Sequence, residues 1–447
     1  MYPDAISLPL DLGDGLILRR STAADADRLA AFNVRIHSDN PAEPQHSLDS
    51  WTRDLLSGRH PTVSPEDFTV VEEATSGRIV SSLCSIPQIW TYEGIPLKVG
   101  RPELVGTDPE FRNRGLVRRQ FEVVHAWGQA RGESMQAITG IPFYYRQYGY
   151  EMGLELGGMH TGYLSSAVKE LKEDESEPFP IRPAREQDLE WIASLYQRGS
   201  RRYAISAVRD RTTWLFELNG RRPDSANGSK LFVIEDRTGK PVGFFCMPTE
   251  PWLGGTIGVC TQVELENGAS WQKVAPGLLR FLRQEGESVA AGLKKTCDRV
   301  GFSLGTAHPI YDVLKEQLPI ERKAYAYYVR VPDLIAFLRS IVPVLEARLE
   351  ASPAAGFDGE LKLGFYRNGL VLKFESGRIT SVEAYQPTSW SNADAAFPNQ
   401  VFLQLLFGYR TLEELRYAFA DCWANQPGRL LLEALFPRKP SLVWGIA

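Results

Sequence analysis

Apolar positions recur at matched spacings in two places. Leu18, Leu29 and Phe32 in LRRSTAADADRLAAF, which begins at Leu18, correspond to Ile181, Ile192 and Leu195 in IRPAREQDLEWIASL, which begins at Ile181. Arg19 aligns with Arg182, Asp25 with Asp188, and Ala30 with Ala193. Each segment reads as a strand, a turn and an amphipathic helix, and the pair predicts an internal duplication. Between them lies KELKEDESEPFP, residues 169–180, a charge run ending in two prolines with little to bury. It marks a linker.

Inside the first half, GRPELVGT reads as a short apolar strand ending at Thr107, and Asp108-Pro109 as a turn. Val117, Phe121 and Val124 then fall at helical spacing, and the helix runs out at Arg131-Gly132, where glycine suits the position after the last turn. SMQAITGI is a second strand, FYYRQY a short helix closed by Gly149, and a further strand starts at Tyr150. Beyond Val331 the texture changes. DLIAFLRSIVPVLEARLEA is helical by spacing, and alternating runs follow, split at Arg367-Asn368-Gly369 and at Glu375-Ser376-Gly377, which are hairpin signals. NQVFLQLLFGYRTLEELRYAF adds two helices around a glycine. This is a third, α+β unit, and three domains suit 447 residues.

Composition narrows the function classes. Lys and Arg number 50 against 55 Asp and Glu, a net charge of −5, which argues against a nucleic-acid surface and suits a cationic partner. The five cysteines, Cys84, Cys246, Cys260, Cys297 and Cys422, are scattered and form no C-x-x-C clamp, as expected of reduced, buried thiols. The start, MYPDAISLPLDLGDG, carries no signal-peptide pattern, and DLIAFLRSIVPVL is too short and too broken, by Arg339 and Pro343, to span a bilayer. The chain reads as cytoplasmic. His37, His46, His60, His125, His160 and His308 show no metal-site spacing.

The stretch that carries chemistry is GTDPEFRNRGLVRRQF, with four arginines and a glycine at a helix start. A loop there aims successive N–H groups at one point, which suits a pyrophosphate, and Gly115 permits close approach of the backbone. The order of strand, loop, helix, strand, short helix and strand resembles the GNAT superfamily of N-acetyltransferases. Arg112 and Gly115 fit its R-x-x-G-x-[GA] signature, although Val117 stands where glycine or alanine is usual, and YYRQYGYE resembles its second hallmark. The whole chain is similar to the enhanced-intracellular-survival branch. That resemblance implies an α/β (α+β) architecture of tandem GNAT folds with mixed central sheets: a catalytic domain over 1–168, a degenerate copy over 178–332, and a sterol-carrier-like α+β domain over 333–447. The second copy has Asn267-Gly268 at the corresponding turn but no arginine, so its cofactor site is expected to be lost.

The resemblance further implies an acetyl-CoA-dependent N-acetyltransferase acting by direct transfer on a primary amine, without a metal. Arg112, Asn113, Arg114, Gly115, Leu116 and Val117 would hold the pyrophosphate, with Arg114 or Arg118 adding charge. The strand Leu104-Val105-Gly106 would meet the pantetheine arm and polarise the thioester carbonyl, and Gly140 and Ile141 would lie beside the same cofactor. Tyr145 takes the general-acid position. The base is the terminal carboxylate, here that of Ala447, with Glu103 on the strand as the competing base. Trp51, Phe143 and Trp90 are candidates for lining an acceptor pocket, although core packing suits each equally. Asp39, Glu43 and Asp49 give the early helices an acidic bias. The acceptor is an amine of a small molecule or peptide, and a homo-oligomer, a trimer or hexamer, is implied. Two rivals stand beside this reading: a non-catalytic protein that binds an apolar ligand or acyl-CoA with a vestigial GNAT domain, and an acyltransferase using longer chains.

Overall fold

The computed structural model describes residues 6–141, 143–387, 392–398 and 400–443. The first half builds one sheet from β1 (Leu10–Gly13), β2 (Leu16–Arg20), β3 (Phe68–Glu73), β4 (Ile79–Tyr92), β5 (Ile95–Thr107), β6 (Met135–Ile138) and β7 (Glu151–Leu156). Successive strand residues face opposite sides, and the two faces recruit different helices. Val70 turns toward α1 (Ala26–His37) and α2 (Ser47–Leu55), joining Leu29, Phe32, Trp51 and Leu55. Val71 turns the other way, toward Phe121, Val123 and Val124 of α3 (Leu116–Arg131).

The second half repeats the plan. β8 (Met159–Tyr163) precedes the linker, and β9 (Ile181–Pro183), β10 (Ile205–Ala207), β11 (Ser229–Glu235), β12 (Pro241–Pro248), β13 (Ile257–Cys260), β14 (Gln262–Leu265), β15 (Arg299–Phe302), β16 (Ile320–Arg322) and β17 (Tyr325–Arg330) follow it. They form two four-stranded sheets, ordered β14-β12-β11-β9 and β13-β15-β8-β16, while β10 pairs with β4. The repeated opening folds around the same polar cluster. Arg19 grips both oxygens of Asp25 at 2.9 Å and reaches Glu72, 53 residues on. Arg182 grips Asp188 at 2.7 and 3.0 Å and reaches Glu235, again 53 residues on.

Two strands cross between the halves. β8 pairs with β15 and β16, and β17 inserts between β6 and β7 of the first sheet. Linear boundaries at 168 and 332 therefore misplace both strands. Periodicity states which face a residue takes but not which strand is its neighbour. The linker is docked as well, with Glu177 on Arg280 and Glu170 on Arg283 of helix Trp271–Gly292.

The last unit is a five-stranded sheet, ordered β20-β19-β18-β21-β22, built from β18 (Gly359–Phe365), β19 (Asn368–Glu375), β20 (Arg378–Tyr385), β21 (Ala395–Ala396) and β22 (Trp423–Ala424). The expected turn at Ser376-Gly377 is present. The other hairpin turns at Tyr366-Arg367 instead, which places Asn368 and Gly369 inside β19. The core of this unit is continuous with Trp90, Tyr92 and Tyr327 of the first sheet, and the Tyr92 hydroxyl donates to the Leu406 carbonyl at 2.6 Å. The chain then returns between the halves, where Leu442 N–H donates to Ile205 and Glu155 N–H to the Ser441 hydroxyl. Among the described residues no helix is long and apolar enough to cross a membrane.

Candidate functional site

β5 and β6 run parallel but pair only at Val99–Met135 and Gly100–Gln136. Beyond those pairs they splay, which leaves the β5 edge from Pro102 to Thr107 without a strand neighbour on that side. On its other side the register to β4 skips between Ser82–Gly106 and Cys84–Glu103. Leu104 and Val105 thus oppose one residue, a bulge that bends the strand, and Leu104 takes φ +52°. Its side chain drops into the α1–α2 core. Val105 and Gly106 line the opening.

The loop after β5 is shaped residue by residue. Asp108 starts it, accepting from Glu110 N–H and from Arg78 and Arg35. Asn113 (φ +63°) and Gly115 (φ +73°) then take left-handed conformations that turn the chain into α3. A Cβ on Gly115 would meet only open space, so φ is what requires glycine there, not crowding by protein. The first helical bond runs from Arg119 N–H to the Gly115 carbonyl. Among the described residues the six amides from Asn113 to Arg118 find no acceptor in the protein, the expected state of a helix start awaiting an anion.

These amides face a cavity of about 750 Å³. Val105, Gly106, Arg112 to Val117, Ile141 and Tyr145 all line it, so most of the predicted positions converge. Arg112, Arg114 and Arg118 have no carboxylate within ion-pair distance among the described residues. Arg114 lies over Phe111, Arg118 over Tyr148, and Arg112 reaches the Thr107 carbonyl. Arg119, by contrast, is tied to Glu122. Three uncompensated guanidinium groups at a helix start make a strong anion field.

Tyr145 sits on a single turn, Tyr144–Tyr148, entered by Phe143 at φ +63° and closed by Gly149 at φ +86°. Its ring is buried among Phe121, Tyr150 and Tyr328. A Cβ on Gly140 would stand 3.5 Å from its hydroxyl, so Gly140 backs that hydroxyl rather than lining the cavity. Burial, reinforced by the nearby charge of Glu103, pushes the phenol pKa upward. Tyr145 is therefore a neutral donor. Glu103 lies off the cavity, paired with Arg101, and burial raises its pKa against the pull of that arginine. Ala447 lies outside the described residues. The chain is described to Val443, buried in one cluster with Trp90 and Tyr327, and the Tyr327 ring lies 5.7 Å from the Arg101 guanidinium.

Several residues had no signal in the sequence. β17 sends Tyr328 against Tyr145 and its hydroxyl to Phe143 N–H, while the Tyr325 hydroxyl donates to the Gly140 carbonyl. Their distance along the chain hides them. Ile36 and His37 also line the cavity, admitted by Gly106, whose Cβ would stand 2.7 Å from Ile36 and 3.1 Å from the His37 Nε2. Glycine within a strand pattern is the one hint of that close approach. Trp90 is core, its indole donating to Gln88 at 2.7 Å, and Trp51 is buried on the core face of α2 beside Leu29 and Phe32. Phe143 is exposed beneath Arg146.

The second half forms the same splay. β13 pairs in parallel with β15, and the strand breaks at Thr261 before β14 turns to β12. Here the gap is filled. His308 is buried with Nε2 3.0 Å from the Val263 carbonyl, Trp271 packs on it edge-to-face, and the Tyr311 hydroxyl bridges Leu304 N–H and the Phe302 carbonyl. Burial takes the His308 pKa down to about 3, so the ring is neutral and its Nε2–H donates. The hollow beside Asn267-Gly268 is lined by Asp188, Asp236, Lys240 and Glu266, and among the described residues no arginine lines it.

Residues 19–153 match an acetyltransferase (GNAT) domain. No curated protein sequence matches the chain. Among solved structures, a GCN5-related N-acetyltransferase from Kribbella flavida superposes with a TM-score of 0.63 at 16% identity, covering 96% of this chain and 100% of that one. One from Anabaena variabilis gives 0.62 at 14%, over 95% and 98%. Eis1 from Mycobacterium abscessus gives 0.60 at 15%, over 95% and 98%. At these identities the likeness is one of fold, and it extends over all three units, with the α/β class and mixed sheets the sequence implied.

Proposed function

We propose that this protein is an acetyl-CoA-dependent N-acetyltransferase for a primary amine, working in its first unit. The supporting observation is the run of six unpaired amides and three uncompensated arginines that share one cavity with Tyr145. Arg112 to Val117 neutralise and place the pyrophosphate. The open β5 edge takes the pantetheine arm as an added strand would be taken, and an amide of Leu104–Gly106 polarises the thioester carbonyl. The amine nitrogen attacks that carbon, a C–N bond forms and the C–S bond breaks. Tyr145 gives its proton to the departing thiolate, and a carboxylate takes the proton of the amine. Glu103 and the Ala447 terminus are the two bases, told apart by Glu103→Gln and by deletion of residues 444–447.

The second unit is a support without a cofactor site, and the third a sterol-carrier-like domain. The acceptor is a cationic amine, the working compartment the cytoplasm, and the assembly a homo-oligomer, which light scattering would detect as a mass above 50.1 kDa. Thiol release from acetyl-CoA across a panel of cationic amines tests the activity. Turnover with at least one amine, abolished by Arg112→Gln, supports it; tight acetyl-CoA binding with no release across the panel favours the non-catalytic reading.

A further inference from the structure

A second cavity, of about 940 Å³, opens between the first sheet and the third unit, separated from the first by Tyr148, which lines both. Its volume is that of a small-molecule site. One wall is apolar, made of Val331, Leu334, Phe365, Phe402 and Leu403. Its charged groups are cationic: Arg330 and Arg367 line the cleft beside the neutral Asn368 and Gln400, and among the described residues no carboxylate does.

Arg330 is half-buried and Arg367 exposed at the cleft mouth, and neither is neutralised. Arg330 ends β17, packs over Gly149, and donates from Nη1 to Gln136 at 2.9 Å, an uncharged partner. Arg367 stands in the two-residue turn between β18 and β19. That turn places Tyr366 at φ +49°, a conformation uncommon for a bulky side chain, and the Tyr366 hydroxyl anchors to Asp421 at 2.5 Å. Neither guanidinium has an ion-pair partner within 4 Å among the described residues, whereas other half-buried arginines comparable to Arg330, such as Arg19, Arg182 and Arg348, do. An apolar wall beside two unneutralised guanidinium groups matches one ligand chemistry. We propose that this cleft binds a single-chain amphiphile, its alkyl chain on the Leu334–Phe402 wall and its anionic head, carboxylate or phosphate, between Arg330 and Arg367. The proposal stands independently of the acetyltransferase reading.

Calorimetric titration of the full chain with decanoate, decyl phosphate, decyltrimethylammonium and acetate tests it without any turnover. Saturable binding of decanoate or decyl phosphate, one per chain, is expected, and the tighter of the two names the head group. Acetate lacks the chain, decyltrimethylammonium has the wrong charge, and both should bind at least tenfold more weakly. Arg367→Gln, on an exposed turn, should weaken the anion about tenfold, as should Arg330→Gln, while Arg112→Gln leaves it unchanged. Equal binding of the cationic probe, an unaltered affinity in Arg367→Gln, or no saturable binding at millimolar probe would each overturn the site.

Discussion

The two splayed strand pairs of this chain are built alike and finished differently. In each, a parallel pair separates at a break in the central strand, Leu104 in one and Thr261 in the other, and a loop leads into a long helix. In the first, the exposed strand edge faces a cavity and the loop carries arginine. In the second, the Val263 carbonyl is already engaged by His308, and Trp271 and Tyr311 occupy the remaining space. A splay in the sheet is thus a scaffold property, and whether it becomes a site depends on what is placed in the gap. An unpaired strand edge needs a partner; a ligand or a side chain serves equally.

The largest effect should come from Tyr145→Phe, which keeps the ring and removes the hydroxyl. Turnover should fall roughly 10²-fold or more with acetyl-CoA affinity held, read as a drop in kcat at unchanged KM for acetyl-CoA. His308→Ala probes the filled gap. It strips the Val263 carbonyl of its donor and should lower stability by about 1–3 kcal/mol in denaturant titration, with acetyl-CoA still binding once per chain; a second equivalent would break the comparison. Gly115→Val and Gly268→Val both force a branched residue to positive φ, each costing about 1–2 kcal/mol. Only Gly115→Val should weaken acetyl-CoA, by tenfold or more in calorimetry.

The last expected effect is a pH slope. Burial holds His60, His125 and His308 down to about 3 in the fold, against about 6.5 for an unfolded chain. Between those values the unfolded state binds the extra protons, so stability is full above about pH 6.5 and lost as pH falls below it. The loss is on the order of 1 kcal/mol per pH unit for each histidine. Replacing His308 with phenylalanine should flatten that slope, on top of a pH-independent loss from the Val263 carbonyl left without its donor.

Much of the first site was legible because its logic is local. Arg112, Gly115 and Tyr145 lie within one stretch whose helix start, turn residues and strand ends all carry signals. The polar anchor of the repeat was legible in part, as Arg19–Asp25 and Arg182–Asp188. Its third member, Glu72 or Glu235, escaped because a residue 53 positions away shares no turn or helix with the arginine. The fill of the second gap was unreadable for a related reason. His308 caps a short helix, an ordinary local role, and its bond to Val263 spans two strands of chain that nothing local connects. Tyr325 and Tyr328 were missed because the strand that carries them belongs, by sheet pairing, to the other half.

The crossing of β8 and β17 also sets a timetable. Arg330 meets Gln136 across 194 residues of chain, and β17 must arrive before β6 and β7 have a common neighbour. At a synthesis rate of about 5–20 residues per second, that interval is roughly 10–40 s. Throughout it β6 and β7 lack the strand that joins them, and the nascent first half lacks the tyrosines that pack on Tyr145 and bind the Gly140 carbonyl. The half that holds the candidate chemistry is made first and completed last.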